Sequence, residues 1–189
     1  DEWSSKLYTT AKGAVKNTFA NICTILRHDP ATKALRFNEM TVTPELGGAP
    51  VSDARLALMR EDIERRYGFS ATDSLSQAIL GVASEHAYHP VREYLEGLTW
   101  DHAPRLASLT TTMLDAEPST INAAMVRAWF VSAVARAYKP GCKVDTCLVL
   151  VGPQGARKSS FFRALGGPWV ADTAIDIESK DAMQQINAA

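Results

Sequence analysis

Apolar residues recur at helical spacing through most of the first 140 positions, and that rhythm breaks near Gly141. Asn17 is placed to cap a helix whose apolar stripe is Phe19, Ile22, Cys23 and Leu26, and Asp29-Pro30 stops it. Leu35-Arg36-Phe37 and Thr41-Val42-Thr43 alternate as two short strands of a hairpin, which Pro44 and Gly47-Gly48 terminate. Ser52 opens a second helix with Leu56, Met59, Ile63 and Tyr67 along one face, a charged face opposite, and Gly68 at its end. Ser74-Leu75-Ser76-Gln77 fits a capping box for a third helix, with Leu75, Ile79, Val82 and His86 on one side. Pro90 suits a first helical position, and Val91, Tyr94, Leu95 and Leu98 form a short amphipathic continuation.

The stretch Trp100-Asp101-His102-Ala103-Pro104-Arg105 reads as a junction: a large anchor, a side chain able to satisfy helix-start amides, and a helix-opening proline. Leu106, Leu109, Met113 and Leu114 line the helix that follows. Ser119 opens another, running to about Tyr138. Its apolar residues, among them Ile121, Met125, Trp129, Val131 and Val134, occupy more than one side, the pattern of a helix sandwiched between bodies. Lys139-Pro140-Gly141 ends it, and Val144 to Val151 has the composition of a strand. A glycine-bearing loop follows, then a helix through Phe161, Phe162 and Leu165 that stops at Gly166-Gly167-Pro168. Trp169-Val170-Ala171 reads as a second strand, and Asp172 to Glu178 as an acidic loop. The division expected is a helical domain at 1–98, a helical connector at 99–140, and from 141 to 189 the start of an α/β core with a parallel sheet.

Chemistry concentrates in Gly152-Pro153-Gln154-Gly155-Ala156-Arg157-Lys158-Ser159-Ser160. Strand, glycine turn, Lys-Ser and helix is the order of a phosphate-binding loop: backbone N–H groups curl around phosphate oxygens and the helix adds its positive N-terminal end. Gly152, Lys158 and Ser159 sit at the spacing of the G-x-x-x-x-G-K-[ST] pattern, while Arg157 occupies its second glycine. Glycine there allows a positive φ, so Arg157 implies roughly 1–3 kcal/mol of strain or a relaxed loop. Lys158 is the candidate catalytic residue, its ammonium between the β- and γ-phosphates of ATP, and the Ser159 hydroxyl is the candidate Mg²⁺ ligand. The plainer alternative is a strand-to-helix turn that contains Gly, Lys and Ser by chance.

Charge sharpens this picture. Between Thr120 and Gly167 there are seven basic residues and one acid, Asp145, whereas the rest of the chain holds 13 basic and 20 acidic residues. Phosphate chemistry, on a nucleotide or a nucleic-acid strand, is favoured in that window. Cys23, Cys142 and Cys147 are too few and too irregularly spaced for a disulfide framework, and read as reduced thiols, two of them buried. His86 and His89 have a metal-like spacing but no third ligand, so a structural role is the expectation. No apolar run approaches the ~18 residues of a membrane span, and the polar, acidic start is not a signal peptide, which leaves the cytoplasm as the default. A start at Asp1 and an end inside a helical pattern read as a piece of a longer chain.

The order of motifs resembles the virulence-associated protein E family, phage- and mobile-element-encoded phosphate-loop ATPases similar to the helicase part of primase-helicases. The resemblance is carried by Lys12-Gly13 with Asn17 and Asn21, Phe37-Asn38-Glu39, Tyr88-His89-Pro90-Val91-Arg92 with Tyr94-Leu95, and Trp100-Asp101 with Pro104-Arg105-Leu106. Further on it includes Pro140-Gly141-Cys142-Lys143 with Asp145, Gln154-Gly155 with Lys158-Ser159, and Lys180-Asp181-Ala182. It implies an α/β fold with an AAA+ or superfamily 3 helicase-like core, ATP and Mg²⁺ as ligands, single-stranded DNA as a partner, and assembly into a homo-oligomeric ring. It also implies an acidic motif for Mg²⁺ and the attacking water; Asp172, Asp176 and Glu178 lack a convincing apolar strand before them and are not assigned that role. Two function classes remain: an ATP-driven motor on single-stranded DNA, and a non-catalytic module with a degenerate loop that serves DNA binding or assembly. A small-molecule kinase is disfavoured, because about 140 residues precede the first core strand, whereas kinases usually begin with the loop.

Overall fold

A computed structural model describes residues 2–72 and 74–170. The chain divides into two compact units, Asp1–Pro90 and a second that begins at Val91. It is a mixed α/β protein, with a small sheet and helices on the first unit and helices on the second.

In the first unit, α1 (Phe19–His28) is capped by Thr18, whose hydroxyl accepts from the Asn21 amide at 3.3 Å. The expected cap, Asn17, instead donates from its side chain to the Ser70 carbonyl at 2.8 Å. Ile22, Cys23 and Leu26 are buried as expected, together with Ile25, while Phe19 stays half exposed. Asn21 is buried among them and joins the N-terminal segment to the helix: its amide accepts from Tyr8 N–H and donates to the carbonyls of Tyr8 and Lys16, all within 2.9 Å.

The sheet contains β1 (Leu35–Asn38), β2 (Thr43–Leu46), β3 (Ala49–Pro50) and β4 (Ala87–Tyr88), in the order β3-β2-β1-β4. β1 pairs antiparallel with β2 and parallel with β4. The second strand therefore lies later than the 41–43 expected, and Pro44 sits inside it. That is tolerated because Pro44 lies at the end of the β2–β3 ladder, where its carbonyl still accepts from Val51 N–H at 3.0 Å and the missing N–H forfeits only one terminal bond. Val42 falls in the turn with φ of 57°, a strained place for a β-branched residue.

α2 (Asp53–Tyr67) has the expected ends. The Ser52 hydroxyl accepts from Arg55 N–H at 3.3 Å, and Gly68 closes the helix at φ 74°, ψ 20°, a conformation that glycine adopts without steric cost. α3 (Leu75–Ser84) buries Leu75, Ala78, Ile79, Val82 and Ala83 against α1 and the sheet. Its capping box does not form: Ser74 has helical rather than extended backbone, and its hydroxyl makes no cap bond. His86 lies beyond the helix and is exposed, because the chain turns to give β4. One polar knot ties α1 to α2. The buried Asp29 carboxylate receives the Arg66 guanidinium, the Tyr67 hydroxyl and, at 2.8 Å, the Ala31 amide. Burial pushes this carboxyl upward, and these three donors together outweigh it and hold it below the ordinary range. Burial and the same carboxylate push the Tyr67 phenol up.

α4 (Pro90–Glu96) opens at Pro90, as its position suggested. In the second unit, Trp100 is exposed rather than an anchor and lies against His102, while Asp101 receives Arg105 through two bonds of 2.7 and 2.6 Å. α5 (Arg105–Thr112) packs on α6 (Thr120–Tyr138), which Ser119 caps by accepting from Asn122 N–H at 3.4 Å. Among the described residues α6 is not sandwiched: only Val126 and Ala137 are buried, and Ile121, Met125, Val131, Val134 and Tyr138 are exposed. The 144–151 segment is not a strand there either. It forms no ladder: none of its N–H or C=O groups pairs with a strand among the described residues. The parallel sheet expected from this point is therefore absent among the described residues. α7 (Lys158–Gly166) follows, and Gly167–Trp169 is a 3₁₀ turn where a strand was expected; the position of Ala171 and the acidic 172–178 stretch lie outside the described residues, as do Lys180, Asp181 and Ala182. Of the three cysteines, all free, only Cys23 is buried; Cys142 is partly exposed and Cys147 exposed, one fewer in the core than expected.

Candidate functional site

The loop between Val151 and α7 reverses the chain in two steps, each using a left-handed residue. Gly155 has φ of 86°. Arg157, immediately before the helix, has φ 55° and ψ 27°, so the arginine takes up the conformation that the pattern's second glycine would supply. For a non-glycine residue this costs about 1–2 kcal/mol. Turning the chain there starts the helix abruptly, and the Phe161 amide makes the first intrahelical bond, 3.1 Å to the Arg157 carbonyl. The amides of Lys158, Ser159 and Ser160 have no intrahelical acceptor, and no side chain caps them. They make up the positive end of the helix.

Lys158 closes the loop on itself. Its ammonium donates to the carbonyls of Gly152 and Pro153, both at 2.8 Å, which fixes its charge over the loop's mouth and leaves one of its three N–H donors. The Ala156 amide reaches the Pro153 carbonyl at 3.4 Å and makes the tight turn between them. Gly152 is not sterically forced, for a Cβ added there would meet only the Ala156 methyl at 3.9 Å.

A cavity of about 850 Å³ opens beside the loop. Of the sequence-predicted site residues, Gly152, Pro153, Ala156, Arg157, Lys158 and Ser160 line it, whereas Gln154, Gly155 and Ser159 do not. Leu148 to Val151 form one further wall, and the opposite wall comes from the α5–α6 turn: Thr110, Met113, Leu114, Asp115, Asn122 and Met125 are among its residues. Sequence reasoning missed that second wall, since nothing local to 110–126 announces a ligand. The volume lies within the range of small-molecule and cofactor sites, and the lining is mixed polar and apolar, with Arg157 and Lys158 among it.

For Mg²⁺ the donor set is thin. Ser159 offers a hard hydroxyl oxygen, the right chemistry for that ion, but it stands off the cavity wall, and Asp115 is the one acid lining the cavity. Among the described residues no group of three or more His, Cys, Asp or Glu is placed to hold a metal. A divalent ion would find at most one protein ligand in this loop.

An uncapped helix start, two adjacent cations and a cavity thus meet in one mixed α/β chain. A family model described as a virulence-associated protein E-like domain matches residues 95–189, and the chain belongs to that family. Membership associates it with phage- and mobile-element-encoded proteins. No curated protein matches the chain. No helix among the described residues is long and apolar enough to cross a membrane.

Proposed function

We propose that the chain binds ATP·Mg²⁺ through the 152–160 loop and is the nucleotide-binding part of an ATP-driven motor that acts on single-stranded DNA of a mobile element. The observation that carries this reading is the junction of Arg157, Lys158 and the uncapped start of α7 on one cavity. Two cations and the helix-start amides of Lys158 and Ser160, both cavity-lining residues, lie beside a volume large enough for a nucleotide. In this reading Lys158 steadies charge on the transferring phosphoryl group. The Ser159 hydroxyl is the one protein oxygen of the loop that would hold Mg²⁺, which would supply charge neutralisation for the phosphates.

The exposed apolar face of α6 favours a second function, assembly, which is compatible with a homo-oligomeric ring and also with a module whose loop no longer turns over ATP. The two separate in one experiment. ATP·Mg²⁺ is titrated into the protein and into Lys158→Ala by calorimetry, beside hydrolysis measured with and without single-stranded DNA. Saturable binding that weakens about tenfold or more in the variant supports the motor; identical heats in both proteins, or none, leave assembly as the function.

A further inference from the structure

Arg92 and Tyr94, on α4, lie outside the phosphate loop and do not line its cavity. Their contacts lead back to it. The Arg92 Nε donates to the Ala137 carbonyl at 2.5 Å, meeting one of the last carbonyls of α6, which have no partner within that helix. One turn further along α4, Glu96 accepts from the Tyr138 hydroxyl. These two bonds tie α4 to the C-terminal end of α6. Between them the Tyr94 ring packs against Trp169, in the 3₁₀ turn that follows α7, with centroids 5.3 Å apart and planes at 60°. Nearer the loop, Phe162 of α7 meets Trp129 of α6 edge-on at 5.7 Å.

None of the residues of α7 is buried, so no core sets its direction, and a helix start can aim its amides at a ligand only as well as the helix axis is held. The contact at Phe162, one turn in from the loop, acts as a pivot. The contact at Trp169, past the last turn, sets the angle. We propose that Tyr94 is a positioning residue for the phosphate loop: by holding Trp169 it fixes the tilt of α7 and with it the direction of the Lys158, Ser159 and Ser160 amides. The inference rests on the proposed phosphate binding and gives α4 a part in it. Without the Tyr94 ring α7 samples other tilts, and affinity falls in proportion to the fraction of molecules whose amides still point at the ligand. The strength of a single aromatic pair makes that loss about three- to tenfold.

The test uses inorganic tripolyphosphate with Mg²⁺ on the ¹⁵N-labelled 189-residue chain and on Tyr94→Ala, Tyr94→Phe and Trp169→Ala. Tyr94 is half exposed, so its truncation opens no core cavity, and amides outside α4, α7 and the 3₁₀ turn should keep their positions in the spectrum. In the ligand-free protein, Tyr94→Ala should shift the amides of Lys158, Ser159 and Ser160, whereas Tyr94→Phe keeps the ring and should leave them in place. By calorimetry Tyr94→Ala should bind tripolyphosphate more weakly by the stated margin, and Tyr94→Phe should bind as wild type does. Trp169→Ala should lose as much as Tyr94→Ala, and the double variant no more than either, because the two rings make one contact. Unchanged amides and affinity in Tyr94→Ala, a loss in Tyr94→Phe equal to that in Tyr94→Ala, or additive losses in the double variant would each overturn the positioning role while the phosphate loop stands. A wild type that does not bind tripolyphosphate removes the phosphate reading itself, and the positioning role with it.

Discussion

Replacing Arg157 by glycine separates two effects that the sequence alone leaves tangled. The arginine holds φ 55° and ψ 27°, and a non-glycine residue there costs about 1–2 kcal/mol. Glycine removes that cost but adds about 0.5–1 kcal/mol of unfolded-state entropy, so Arg157→Gly should raise folding stability by no more than about 1.5 kcal/mol. The strain is already present in the loop without nucleotide, and a cost borne in both states cancels from the dissociation constant. What remains in binding is the guanidinium, which lines the cavity beside Lys158. A hydrogen bond to a charged partner is worth about 1.5–3 kcal/mol, and the exposure of Arg157 argues for the low end, close to a tenfold loss of ATP affinity. Calorimetric titration of ATP·Mg²⁺ with parallel thermal melts measures both quantities. Arg157→Ala should lose affinity equally without the gain in stability, and Arg157→Lys should recover part of the affinity. An Arg157→Gly protein that binds ATP more tightly than wild type would refute the reasoning, since it would mean that the loop adopts this conformation only on binding.

Asp29→Asn should destabilise the first unit by about 2 kcal/mol in denaturant melts, by stripping the charge that Arg66 and Tyr67 face. Because the folded-state pKa of Asp29 is lowered, its contribution is complete above about pH 4 and is lost as pH falls below that, so wild type and variant should converge in stability in acid. Val42→Gly should raise the melting temperature: Val42 has φ of 57° and is 63% exposed, so little packing is lost when the strain is relieved. Binding of single-stranded DNA should be weak and should fall steeply between low and moderate salt, as expected for the basic 120–167 window; salt-independent binding would remove that window from the interface.

The elements legible in the sequence are those whose ends are decided locally. Ser52 and Gly68 bound α2 as read because a hydroxyl at the first turn and a left-handed residue at the last act within four residues. Thr18 takes the cap from Asn17 because Asn17 has a distant partner, the Ser70 carbonyl, which no local pattern reveals. The same limit hides Asn21, a buried amide whose role depends on a segment 13 residues away. In the candidate site, spacing picked out Lys158 and the positive φ required at Arg157, both consequences of adjacent residues. It could not pick out Asn122 or Met113, which reach the cavity only through the packing of α5 on α6. The apolar run at 144–151 carries strand composition, but composition cannot supply the edge with which a strand must pair.

Amide chemical shifts put the central claim to its most direct test, because the claim is that the start of α7 holds phosphate. In ¹⁵N-labelled protein titrated with ATP·Mg²⁺, the largest shifts should fall on the backbone amides of Arg157, Lys158, Ser159 and Ser160, and Lys158→Ala should abolish them. Shifts that leave these amides unmoved, or that gather on the sheet of the first unit, would contradict it.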